Sequence, residues 1–308
     1  MTRADAKKWA FLLVPAAGLL ELSLHVVQTT SGVVPDADWK AARDLVKQKV
    51  KDTDLVLFAP TWSDPVGREH FKDEIASVER EAAPDVTRFA RALEVSIRGA
   101  HRRELDGWRE IGRERAGKVT VVTWENPSPP TLKDDLVVQT KPQALRVFRV
   151  DGAGESECVF GQNAVQTGGL GFGPAIPSAR WTCKGGGFVG VTVLPALDYS
   201  ARRCIFAPPF GGSSVLRLVF TGIRFGRGLH GHHGLYAEAE RNKNGPAVTL
   251  TFRANETTIG KVVHADGDGW KGFELDTSDL EGKTGDLVAE VTAQNGNRRQ
   301  YCFEADTR

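Results

Sequence analysis

The chain has 308 residues, 41% hydrophobic and 26% charged, which is enough for two domains with ordinary cores. Its 40 Lys and Arg stand against 39 Asp and Glu, a net charge of +1. A dedicated nucleic-acid binder needs a basic excess to displace counterions from phosphates, so that class is set aside.

The chain opens on "MTRADAKKWAFLLVPAAGLLELSLHVVQ", where Arg3, Lys7 and Lys8 precede an apolar run from Trp9 to Leu20 that continues, less purely, to Val27. Three readings fit residues 1–30. An uncleaved signal-anchor helix through residues 9–28 has roughly the 20 residues that cross a bilayer. A cleavable signal peptide needs an apolar core of about 7–15 residues. The third reading is a buried soluble helix. Glu21 and His25 are costly in lipid, and no small-x-small cleavage site follows Leu20. The anchor is the preferred reading. With Lys7 and Lys8 on the cytoplasmic side, the bulk of the chain lies outside the cytoplasm, in a periplasm or at a cell surface.

Residues 31–128 alternate helical and strand periods. Asp36 or Asp38 caps a helix with Trp39, Ala42, Leu45, Val46 and Val50 on its apolar side. A strand follows over Leu55–Ala59. The next helix, Gly67 to Ala82, places Phe71, Ile75, Val78 and Ala82 on one face, and Pro84 ends it. Leu93, Val95 and Ile97 mark a second strand. Leu105, Trp108 and Ile111 read as another helix, and Lys118–Trp124 as a third strand. Strands alternating with helices predict a small three-layer α/β domain, Rossmann-like, with a parallel or mostly parallel sheet.

Pro127, Pro129 and Pro130 open a stiff linker over 129–143. Beyond it helical periodicity gives way to nine short β-rich runs: "LRVFRV", "FVGVTVL", "RRCIFA", "VLRLVFTGI", "AVTLTFRA", "TTIGKVVHA", "KGFELDT", "DLVAEVTA" and "QYCFEA". Such runs between Gly and Pro clusters predict an all-β domain over 144–308, a β-sandwich of jelly-roll type. The four cysteines, Cys158, Cys183, Cys204 and Cys302, all fall here and form no C-x-x-C pair. In an oxidising compartment they make two disulfides, with three pairings open. Cys158–Cys183 and Cys204–Cys302 are favoured over the alternative of four buried thiols.

The chemistry-bearing residues gather at predicted strand ends. "APTWSDPVGREHF" carries Trp62, Asp64, Arg68 and His70 after the first strand. In open α/β sheets ligands bind outside the carboxyl ends of strands. His101 and Arg102 follow the second strand, and Trp124 and Glu125 the third. Together they predict a crevice of carboxylates, imidazoles, guanidiniums and two Trp faces, suited to a sugar or a phosphate. The competing reading is that loops are solvated and the indoles pack over the sheet edge. No Gly-rich phosphate loop follows the first strand and no G-x-S-x-G elbow is present, so no cofactor is expected. "GGLGFGPAIP" precedes no helix, which argues against a phosphate cradle.

In the second domain "GLHGHHG" holds His230, His232 and His233, with His264 or Asp266 as a further ligand in a metal reading. His232 and His233 are adjacent, so in a strand they point to opposite faces. A hydrogen-bonding loop is preferred and no metal is expected. Asp266 and Asp268 of "DGDG" remain weak calcium candidates beside a plain turn. Trp270 begins the next strand and is a candidate ligand contact.

The order of "HADGDGWKGFELDTSDLEGKTGDLVAEVTA" resembles the galactose-binding-like jelly roll of many carbohydrate-binding modules, over residues 245–305. That resemblance implies a sandwich scaffold more than a sugar site. Residues 10–60, through Asp38, Trp39, Ala42, Asp54 and Leu55–Ala59, resemble the extracytoplasmic region of polytopic glycosyltransferases of the protein O-mannosyltransferase type. Those enzymes carry their catalytic acids between several membrane helices, and this chain has at most one. The resemblance therefore implies an accessory domain. Three functions follow: a non-catalytic binder of an envelope glycan or a membrane-protein partner; a carbohydrate-active enzyme using Asp64, His101 and Glu125; or an accessory subunit of a polytopic glycosyltransferase. The first is preferred.

Overall fold

A computed structural model describes residues 14–27, 32–75 (73–75 as backbone alone), 82, 85–162 and 176–308. Residues 14–27 form helix α1, exposed throughout, with Leu19, Leu20, Leu22 and Leu24 open to solvent. Among the described residues no helix is long and apolar enough to cross a membrane. The expected span 9–28 begins and ends outside those residues, and most of "GGLGFGPAIP", Val78 and Pro84 lie outside them too.

Helix α2 covers Asp36–Lys49 and α3 covers Asp64–Ile75. Pro35, not Asp36 or Asp38, is the N-cap of α2. Asp38 instead accepts the backbone amide of Lys118 at 2.8 Å, tying the helix to a sheet turn. Strands β1 (Leu55–Ala59), β2 (Arg91–Ile97), β3 (Arg109–Ala116) and β4 (Val119–Glu125) make one sheet in the order β1-β2-β4-β3. Trp39, Ala42, Val46 and Phe71 of the helices pack on Val56, Phe58, Leu93, Val95 and Ile97. Gly67 faces Phe58, and a Cβ there would collide with the ring, so α3 needs glycine to seat.

Two expectations are corrected. The helix read from Leu105, Trp108 and Ile111 is absent: Arg103–Leu105 is a 3-10 turn and Ile111 lies in β3. β3 and β4 form an antiparallel hairpin across the turn Gly117–Lys118, and β4 runs antiparallel to β2. Only β1 and β2 are parallel. The apolar spacing at 105, 108 and 111 mimics a helix because it joins a turn residue to a strand residue. The sheet is mixed, with α2 and α3 on one face. The other face, with Leu55, Leu57 and Ala92, is covered by Val86, Leu105, Phe89, Trp108 and Trp124.

The remainder is a β-sandwich. Its strands are β5 (Asp134–Asp135), β6 (Leu145–Asp151), β7 (Gly154–Glu157), β8 (Val159–Gly161), β9 (Arg180–Thr182), β10 (Phe188–Pro195), β11 (Ala201–Phe206), β12 (Val215–Arg224), β13 (Gly228–Leu235), β14 (Val248–Ala254), β15 (Thr257–His264), β16 (Lys271–Asp276), β17 (Thr284–Ala293) and β18 (Tyr301–Thr307). One sheet has the order β16-β13-β18-β11-β10-β9-β8, with β5 added on β18; the other has β15-β14-β17-β12-β6-β7. Each of the nine predicted runs is a strand. "GLHGHHG", read as a loop, is β13, which pairs with β16 and β18. Part of the expected linker is also strand, since Asp134 and Asp135 pair with Thr307 and Asp306.

Alternation at period two builds the core. Val248, Leu250, Phe252 and Ala254 of β14 point inward, as do Leu287, Ala289 and Val291 of β17, against Phe303 and Ala305 of the facing sheet. In β12 the inward set shifts from Leu216, Leu218 and Phe220 to Ile223. A bulge at Gly222, φ 70°, makes that change of phase possible without losing the core. The favoured disulfides are present, Cys158–Cys183 and Cys204–Cys302. Disulfides persist in oxidising compartments, which suggests an extracellular or periplasmic setting.

Strand β18 is buried on both faces. Its inward residues are Tyr301, Phe303 and Ala305. Its outward residues Glu304 and Asp306 are also fully buried, with Arg88 of the α/β unit beside both. Arg88, in the 3-10 turn Val86–Arg88, pairs with Asp135 and stands 3.7 Å from both Glu304 and Asp306. Arg308 pairs with Asp306 at 2.6 Å and with Asp85 across the junction. The backbone amide of Arg203 donates to the carbonyl of Ala82 at 2.7 Å.

Two outcomes are expected. Arg88→Ala removes the cation that pairs with Asp135 and stands beside buried Glu304 and Asp306, and it lowers stability by about 3–5 kcal/mol in urea titration, the usual cost of breaking a buried pair. Removing Cys204–Cys302, which closes 98 residues, costs about 1 kcal/mol more than removing Cys158–Cys183, which closes 25, by loop-closure entropy. Equal midpoints for the two double Cys→Ser variants would contradict that ranking.

Candidate functional site

A cleft of about 800 Å³ lies between the two units. It opens at the carboxyl end of β1, as expected for an α/β sheet. The α/β unit contributes Leu57, Trp62, Asp64, Arg68 and Arg102; the β10–β11 turn contributes Asp198 and Tyr199, and the start of β11 contributes Arg202. Trp62 is 60% exposed and Tyr199 is 56% exposed.

Local structure sets each wall. The 3-10 turn Thr61–Ser63 leads into α3, and the Ser63 hydroxyl donates to the Pro60 carbonyl at 2.7 Å. Asp64 sits in the first turn of α3, and Arg68, one turn on, donates to it at 3.0 Å. Arg102 donates to both carboxylate oxygens of Glu104, at 3.2 and 2.6 Å. Burial pushes the Glu104 carboxyl up, but the hydrogen bond and charge of Arg102, with Arg202 nearby, hold it below the usual range. Arg202 pairs with Asp198 at 3.1 Å. The walls thus carry planar guanidinium–carboxylate pairs, which present fixed donors beside fixed acceptors.

Of the sequence candidates, Trp62, Asp64, Arg68 and Arg102 meet in this cleft. His70 does not: it stacks on Trp39 at 5.6 Å and faces Asp36 at 3.8 Å, on the α2 side. His101 and Trp124 meet elsewhere, on Glu94. That carboxylate is 1% exposed and takes the Arg102 backbone amide at 2.6 Å and the Trp124 indole at 2.9 Å, with His101 Nδ1 at 3.0 Å. These three satisfy a buried acid. Glu125 is at the opposite sheet edge, beside Arg91 at the start of β2, and pairs with Arg109. The predicted crevice of Asp64, His101 and Glu125 is therefore not assembled. For Glu125 the reason is the reversed direction of β4, which a parallel reading cannot foresee; His101 is drawn instead to the buried Glu94. Sequence reasoning also misses Asp198, Tyr199 and Arg202. The only signal is "LDYS" between two strand runs, a turn that lacks the usual Asn-Gly or Asp-Gly.

The histidines of β13 divide between faces, as adjacency requires. His232 faces outward, with Nδ1 2.8 Å from Glu304 and its ring parallel to Trp270 at 6.2 Å. Burial raises the Glu304 carboxyl above its usual range, against the opposing hydrogen bond from His232 and the charge of Arg88. His233 faces inward, 2.8 Å from the Tyr301 hydroxyl. Burial, then the neighbouring His264 and Lys271, lower its pKa to about 3. His264 lies 3.2 Å from Glu240, which also accepts the amides of Gly267 and Gly269. Asp266 pairs with buried Arg299 at 2.5 Å, and Asp268 accepts the Ala265 amide at 3.1 Å. These groups shape the "DGDG" turn. Among the described residues no three His, Cys, Asp or Glu converge in a way that would hold a metal ion.

No protein-family model matches the chain, and no curated protein matches it. Among solved structures, CBM51-2 with GlcNAc and INT domains from Clostridium perfringens ZmpB aligns at a TM-score of 0.29 and 14% identity, over 57% of this chain and 40% of that one. The glycoside hydrolase domain of Endo-D from Streptococcus pneumoniae aligns at 0.27 and 16%, over 42% of this chain and 22% of that one. A family 29 carbohydrate-binding module aligns at 0.22 and 12%, over 48% of this chain and 89% of that one. Overlaps this slight carry no argument about this chain. The resemblance of residues 10–60 to O-mannosyltransferase-like proteins finds no support in these comparisons.

The burial of His233 has a consequence in acid. An unfolded imidazole binds its proton near pH 6.5, whereas folded His233 does so only near pH 3. Between these values the unfolded chain binds more protons. Stability therefore falls as the pH drops through this window, by up to about 1.4 kcal/mol per pH unit from this one group. Urea titrations from pH 7 to pH 4 should show that slope reduced in His233→Asn. An unchanged slope would mean that the folded and unfolded imidazoles bind the proton equally well.

Proposed function

We propose that this chain is an extracytoplasmic glycan-binding protein and that the interdomain cleft is its site. The carrying observation is the half-open Trp62 beside three guanidinium–carboxylate pairs in a cleft of about 800 Å³, a volume within the range of ligand pockets. A flat indole offers an apolar surface for the C–H face of a sugar ring. Paired Arg and Asp side chains offer donors and acceptors to its hydroxyls. The lining carries three Arg and two Asp, so it has little net charge and favours a neutral polyol over a polyanion. The two disulfides favour an envelope or extracellular setting.

A membrane anchor at residues 9–28, a membrane-protein partner and an accessory role beside a polytopic glycosyltransferase belong to the same proposal. The exposed apolar helix α1 favours the first of them. Isothermal titration of the purified chain against envelope and plant-type oligosaccharides tests the central claim. Binding should be present in the intact chain and fall at least tenfold in Trp62→Ala, with His70→Ala unaffected. Equal affinity in Trp62→Ala would move the ligand out of the cleft.

A further inference from the structure

Resting on the glycan reading, we infer that the cleft is a two-ring clamp and that it selects sugars of gluco configuration. The second ring is Tyr199, contributed by the sandwich, where Trp62 belongs to the α/β unit.

Three observations converge on Tyr199. It is a large aromatic residue left 56% exposed in the same cleft as Trp62. Each of the two rings has one face taken by an arginine: Arg98 stands 5.6 Å from the Trp62 centroid, and Arg241 stands 4.8 Å from that of Tyr199. Each arginine thereby steadies its ring at the cleft. Finally, Tyr199 has φ 60°, the left-handed region where glycine or asparagine would be at ease. The turn holds it there: its amide donates to Ala196 at 2.8 Å, Ala196 donates to Ser200 at 3.0 Å, and Asp198 accepts the Ser200 amide at 2.9 Å. A bulky residue kept in a strained conformation at a cleft is a mark of function. Nothing in the core depends on its ring.

The chemistry names the ligand class. A pyranose gripped from both sides must present C–H groups on both faces. Only a ring with its substituents equatorial does so, as in glucose, xylose or N-acetylglucosamine joined by β-1,4 links. An axial hydroxyl, at position 4 of galactose or position 2 of mannose, would meet one of the two rings.

The test uses titration of the full chain with β-1,4-linked gluco-configured oligosaccharides and with their galacto- and manno-configured counterparts. Gluco-configured ligands should bind at least tenfold more tightly. Tyr199→Asn and Tyr199→Gly relieve the φ, so they should keep the thermal midpoint of the parent or exceed it while losing at least tenfold in affinity. Tyr199→Phe should keep the affinity, because the ring and not the hydroxyl makes the contact. Unchanged binding in Tyr199→Asn and Tyr199→Gly, with loss in Trp62→Ala, would overturn the clamp and leave the cleft as a one-sided site. Equal affinity for all three configurations would overturn the selectivity. If no oligosaccharide binds the intact chain, the glycan reading itself fails and the clamp with it.

Discussion

The structure depends on how two acids on one strand are neutralised. Glu304 and Asp306 point away from the sandwich core, yet both are fully buried. A carboxylate in that setting must be paired or protonated. Arg88 enters from the other unit to stand within 3.7 Å of both, and Arg308 bridges Asp306 to Asp85. Asp85 also holds the turn that presents Arg88, accepting the Thr87 amide at 2.9 Å. Burial pushes Asp85 up, but hydrogen bonds from Thr87 and Arg308 keep it charged below its usual range. The junction is thus an ion network that fixes the two units in one register.

That register creates the cleft. Val86, beside Arg88, is one of its lining residues, and Arg202 lies in β11, the strand next to β18. Trp62 belongs to one unit and Tyr199 to the other, so neither unit alone makes the site. A β-sheet end and a hairpin tip meet there because the network behind them leaves little freedom. The cost of the strained Tyr199 backbone is borne by the hydrogen bonds of its own short turn.

Other polar groups that resemble catalytic parts serve the same architectural end. Glu94 gathers His101, Arg102 and Trp124 under the turn that follows β2, and Glu240 gathers His264 and two glycine amides at the "DGDG" turn. In each case a buried acid collects donors from a neighbouring loop or strand. Such hubs position loops, and they explain why several imidazoles and indoles lie away from the cleft.

Local pattern determined much of this protein. Alternation such as Val248, Leu250, Phe252 is a period-two signal that needs no neighbour to be read, and all nine β-rich runs are strands. Helix α2 is legible from Trp39, Ala42 and Val46 in the same way. The even set of cysteines pointed to two disulfides, but the choice among three pairings rested on the fold. What the sequence alone left open was direction and proximity. The same residues Val119–Glu125 form a strand whether it runs parallel or antiparallel to β2, and only the β3–β4 hairpin decides that Glu125 lies far from Asp64. Trp62, Asp64, Arg68 and Arg102 could be placed at a sheet edge from their position after strands. Tyr199 and Arg202 could not, because they reach that edge only through the long-range pairing of Arg88 with β18 and β5, and contact between distant segments leaves no periodic trace in a chain.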